Sequence, residues 1–245
     1  MTPSARRPPS PPPAVTTEPA ISLPLAFGTW ACGWLAGNVA GAIVLAPHAD
    51  TPVADRPVWV SAAGALALWV PQIVALVVVG RRFATGRFTT DYSLRFRPID
   101  LVGIPVGVLS QLVLLRLVYW PLQSLWPGAF ADKELEENAR DLYDKATGGW
   151  LVLLIAVVVI GAPLVEELVY RGLLQGAARR RLDDIAAVVL VAAFFALIHF
   201  RPVEYPGLLM FGLVLGVCAW TTDRIGLAIV AHMAFNATGL ALVAR

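Results

Sequence analysis

Charge is scarce in this chain. Only 15% of its 245 residues are Asp, Glu, Lys or Arg, against 58% hydrophobic residues. With a mean hydropathy of +0.69, that balance excludes an ordinary soluble domain. Lysine is nearly missing, with two residues beside 17 arginines. The formal net charge of +2 is too small to draw nucleic acid, so no nucleic-acid partner is expected. Cysteine is limited to Cys32 and Cys218, in apolar segments and without CxxC or zinc-ribbon spacing. Both read as small buried apolar residues. The His-Glu-x-x-His zinc signature is absent, as is any inverted repeat with paired broken helices.

Long apolar runs fill the space that charge leaves. Segments of membrane-compatible length lie near 23–46, 58–80, 99–120, 149–172, 185–200, 205–221 and 225–243. The fifth and sixth are short for a full crossing. The expected fold class is all-α, a polytopic membrane helix bundle of about seven (six to eight) transmembrane helices. Residues 1–20 hold seven of the 19 prolines and are expected to form a disordered Pro-rich N-terminal tail, with 21–245 as a single transmembrane domain. Segment 132–147 carries six acids with Leu135, Ala139 and Leu142 at helical spacing, which predicts a surface helix lying along the interface. Gly33, Gly37 and Gly41, and again Gly212 and Gly216, form ladders on which helices pack closely. Arg81, Arg82, Arg87, Arg95 and Arg97 crowd one loop and Arg179, Arg180 and Arg181 another. That asymmetry predicts a multi-pass cell-membrane protein with a cytoplasmic N-terminus.

Three polar clusters interrupt these runs. They are Glu166-Glu167 with Arg171, Phe195 with His199, and His232 with Asn236. An ionisable group in hydrocarbon costs about 2.5–3.5 kcal/mol even on lenient insertion scales, so each is a candidate functional residue. Two carboxylates, two imidazoles and a carboxamide are the parts needed to activate water and stabilise an oxyanion. Residues four apart share a helix face, so Glu167 and Arg171 are expected to pair and brace their helix. Glu166 points about 100° away and is left for proton transfer. His232 and Asn236, also four apart, are expected to face one cavity, with His199 reaching it from a separate helix. Arg116 is expected to snorkel to the interface.

Glu-Glu-x-x-x-Arg, Phe-x-x-x-His and His-x-x-x-Asn, in that order within 149–243, resemble the CAAX protease and bacteriocin-processing (CPBP, or Abi) family of intramembrane endopeptidases, related to type II CAAX prenyl endopeptidases. The resemblance implies a protease acting on a membrane protein or peptide in the lipid bilayer. It implies Glu166 and His199 as activators of water, His232 and Asn236 as oxyanion ligands, and Glu167 and Arg171 as supports. The mechanism stays open between a glutamate type and a metalloprotease, in which Glu166, His199 and His232 could hold Zn2+ or another divalent metal. Two rival readings are a non-catalytic bacteriocin-immunity or scaffold membrane protein and an ion-coupled transporter.

Overall fold

The computed structural model describes residues 20–52 and 55–244. The expected disordered tail, residues 1–20, lies outside the described residues except for Ala20. In chain order, α1 (Leu23–His48), α2 (Val58–Phe83) and α3 (Pro98–Leu125) precede an amphipathic helix, α4 (Asp132–Asp144). Then come α5 (Gly149–Ala178), a shorter apolar helix α6 (Asp184–Leu197), α7 (Pro202–Thr222) and α8 (Gly226–Val243). Six of these, all but α4 and α6, are long and apolar enough to cross a membrane. The protein is a multi-pass, all-helical membrane protein, and no strand occurs among the described residues.

The outside of the bundle is apolar, as lipid contact demands. Leu35, Val39, Val70, Val74, Leu117, Val152, Ile185 and Leu190 all point outward. Cys32 is among the exposed residues, contrary to expectation, whereas Cys218 is buried. Neighbouring helices run in alternating directions. Gly33 and Gly37 of α1 abut Gln72 and Leu68 of α2 in antiparallel register, while Gly41 meets no close neighbour. The α6–α7 pair is also antiparallel, with Gly212 on Ala192 and Phe195, and Gly216 on Val188. The fifth span expected at 185–200 is therefore α6, which has 14 residues and keeps the up–down order although it ends early. Phe200 takes a positive φ of 54° just beyond it, and that left-handed residue breaks the helix. The sixth span, expected to be short, begins with a helical turn at Pro202 and reaches full length.

The closest helix contact joins α3 and α8, which run parallel. A Cβ on Gly107 would collide with the Ala231 carbonyl and stand 2.7 Å from Phe235 N, and one on Gly103 would stand 2.7 Å from Ala231 N. Only a residue without a side chain lets the two backbones approach this far. Gly107→Val is expected to destabilise the protein by ~3 kcal/mol or more, read as a lower midpoint in thermal unfolding in detergent. Retention of the wild-type midpoint would show that the two helices do not pack this way.

α4 is the amphipathic helix that its pattern predicts, and its apolar stripe is turned towards the bundle. Its Ala139, Leu142 and Tyr143 pack towards Leu240 and Val243 of α8. Leu135, Ala139 and Leu142 line a cavity of about 600 Å³ walled by α3, α7 and α8. An apolar stripe needs only a dry partner, and here the end of α8 supplies it in place of lipid.

Candidate active site

The site is built on a polar stripe of α5. Glu167, Arg171 and Gln175 follow one another at four-residue intervals, and all are buried. The Arg171 Nη1 group donates to Glu167 Oε1 at 2.9 Å, both side chains being fully inaccessible. This is the pair that the spacing predicts. Arg171 is held further by an Nη2 bond to the Gly212 carbonyl at 3.0 Å and by the Phe195 ring, 4.7 Å from its Cζ. Gln175 donates to the Gly216 carbonyl at 2.9 Å, one turn on. The α7 glycines thus bring carbonyl groups within reach of α5 as well as allowing close packing. Gln175 was legible as the next polar residue on the Glu167–Arg171 face.

The carboxylate of Glu167 has a second partner that spacing could not reveal. His232 Nδ1 lies 2.8 Å from the same Oε1, and His232 Nε2 lies 3.8 Å from Glu166 Oε2. An imidazole thus stands between the two adjacent glutamates. A carboxylate oxygen that already accepts from Arg171 is an acceptor for the imidazole too. The tautomer that fits this bond carries its proton on Nδ1 and turns Nε2 towards Glu166. The 3.8 Å gap is too long for a direct hydrogen bond and is of the kind a bridging water or substrate atom fills. Glu166 itself is partly exposed, its side chain retaining 27% accessibility, and has no shorter ion pair among the described residues.

His199 is not on the α6 helix but in the turn after it. Its Nδ1 lies 2.6 Å from the Phe195 carbonyl, and a carbonyl only accepts, so His199 likewise leaves Nε2 free. The Phe195 ring stands edge-on to both imidazoles, at 4.8 Å from His199 and 6.1 Å from His232. α6 ends early, the chain turns back at Phe200, and Arg201 is tied to Glu204 at 3.1 Å and to Glu137 of α4 at 3.8 Å. His199 is half-buried against the buried Phe195 ring.

His232 and Asn236 do not face one cavity. His232 is turned towards the glutamates, whereas Asn236 lines the 600 Å³ cavity beneath α4. Phe211 stands edge-on to His232 at 5.4 Å and stacks on Phe235 at 3.7 Å, and Phe235 is also in the cavity wall. Asn236 Nδ2 donates to the Val158 carbonyl at 2.8 Å. The cause lies in Pro163. The chain from Ala156 to Gly161 is wound as a π-helix, Ala162 N–H goes to the Val157 carbonyl, and Pro163 has no N–H to give Val158. The orphaned carbonyl takes the carboxamide instead. A second π segment, Leu168–Gln175, follows the glutamates directly. Arg116 also lines the cavity, exposed and without an ion pair among the described residues.

The donors needed for a metal do not converge. Among the described residues no three His, Cys, Asp or Glu side chains are grouped to hold an ion. Glu166 and His232 approach one another at 3.8 Å, and no third such side chain joins them among the described residues.

A helical membrane bundle whose dry interior gathers two glutamates, an arginine and a histidine belongs to the membrane proteins with an internal polar site. Within that class, residues 148–238 match the family model described as Rce1-like, Type II CAAX prenyl endopeptidase Rce1-like. The match spans the segment that carries Glu166, Glu167, Arg171, His199, His232 and Asn236. No curated protein and no solved structure matches the chain.

Proposed function

We propose that this protein is an intramembrane endopeptidase of glutamate type, hydrolysing a peptide bond of a membrane-associated protein or peptide. The observation that carries the reading is the unequal standing of the two glutamates. Glu167 is committed to Arg171 and His232, while Glu166 is partly accessible and faces a free imidazole nitrogen. In this mechanism a water between Glu166 and His232 gives one proton to Glu166 as its oxygen attacks the scissile carbonyl, and Glu166 passes that proton to the leaving nitrogen as the C–N bond breaks. His199, with Nε2 free, accepts the proton that the new carboxyl group releases. His232 Nε2 accepts the other hydrogen of the water and orients it, while Asn236, held by the Val158 carbonyl, meets the substrate in the cavity beneath α4. Glu167 and Arg171 hold His232 in its tautomer. No step passes through a metal, because three donors do not converge.

The substrate enters by the cavity beneath α4, whose walls include Leu115, Leu142 and Leu240 beside the polar Gln111, Arg116 and Asn236. Such a lining suits an amphiphilic segment, whether a prenylated CAAX terminus, as the family's description names, or an unmodified membrane peptide. The arginine-rich end is placed on the cytoplasmic side of the cell membrane.

The test compares new protein termini in membranes containing wild type or Glu166→Ala at equal levels. Termini that appear only with wild type are expected. Identical termini, with the variant folded, would overturn the protease reading in favour of a scaffold. On the purified enzyme, cleavage is expected to survive exhaustive chelation. Loss on chelation that is restored by Zn2+ would replace the glutamate mechanism with a metal one.

A further inference from the structure

A second cavity, of about 440 Å³, opens at the other end of the bundle, and no step of the proposed hydrolysis uses it. Five arginines line it: Arg95, Arg171, Arg179, Arg180 and Arg224. Their partners leave a definite surplus. Glu167 answers Arg171, and Asp100 answers Arg224 at 2.7 Å. Asp184 and Asp223 both answer Arg179, at 2.6 and 3.0 Å. Among the described residues Arg95 and Arg180 have only backbone carbonyls, of Asp223 at 3.4 Å and of Ile21 at 3.0 Å. Five guanidiniums therefore meet four carboxylates among the described residues, and one positive charge is left over.

A cavity lined by five guanidiniums with one surplus positive charge is a receptor for an oxyanion. The location narrows the ligand further. The three loops that form the cavity gather at the end of the membrane helices, and Leu182 and Ile185 beside it expose apolar side chains. A phospholipid headgroup offers one negative charge, two acceptor oxygens and acyl chains in that position.

We propose that this cavity binds a singly charged phosphate group, supplied by a membrane phospholipid or by free phosphate. Occupancy would neutralise the surplus charge that Arg95 and Arg180 bring to the cavity.

Thermal unfolding of the detergent-solubilised protein, followed by tryptophan fluorescence, tests this. Titration with phosphatidylglycerol is expected to raise Tm, and phosphatidylcholine is not. Arg95→Gln and Arg180→Gln should each raise the half-saturating lipid about fivefold, since an arginine near an anionic surface is worth that factor. Arg81→Gln, basic but outside the cavity, should leave it unchanged. Inorganic phosphate acting as well as the lipid would identify the free ion as ligand, and no effect of phosphate would identify the headgroup. The proposal is overturned if neither ligand stabilises wild type, if phosphatidylcholine does so equally, or if both cavity variants respond as wild type does.

Discussion

Glu166→Gln is expected to lower turnover by about 10²–10⁴, the range that a positioned general base contributes, while leaving the fold intact. The amide keeps the shape of the side chain and removes only its capacity to take a proton. Little stability is at stake, because Glu166 is partly accessible and its nearest charged neighbour is His232 at 3.8 Å. A change in Tm corresponding to less than ~1 kcal/mol is expected, as for an exposed pair. The measurement is kcat on a substrate identified from the new termini, beside a melting curve. Unchanged kcat would remove Glu166 from the chemistry, and a large loss of stability would show that it is structural.

Glu167→Leu should behave in the opposite way. It leaves the Arg171 guanidinium, fully enclosed, with only the Gly212 carbonyl and the Phe195 ring, and it frees His232 Nδ1. Removing one member of a buried pair costs about 3–5 kcal/mol, or a Tm lower by roughly 6–20 °C for a chain of this size. The double variant Glu167→Leu with Arg171→Leu should recover much of that stability, since replacing both charges by apolar groups is often neutral. It should nevertheless stay inactive, because His232 has lost the carboxylate that fixes its tautomer. A single variant as stable as wild type would show that the pair is not the brace described here.

The contrast between adjacent glutamates was only half legible in the chain. Four-residue spacing gave the Glu167–Arg171 pair, because helix periodicity is local. It could not give the His232 bond to Glu167, which joins residues 65 apart. The apolar spans could be read, and so could the three clusters, because unpaired charge in hydrocarbon is costly enough to stand out. Asn236 was misplaced for a physical reason. Its partner is a carbonyl freed by Pro163, and a backbone group has no letter in the sequence. α4 shows a related limit. Its pattern announced an apolar stripe but not whether lipid or α8 would cover it.

The early end of α6 has a mechanical consequence for the bilayer. Fourteen residues make a rod of about 21 Å, against a hydrocarbon core of about 30 Å. Ile185, Val189, Leu190 and Leu197 face outward along it, so lipid must wet this side over the whole of that shorter height. Acyl chains next to α6 have to compress or tilt, and headgroups and water are drawn inward on the flank that carries His199. The depth of that depression is set by a helix about two turns shorter than the hydrocarbon core.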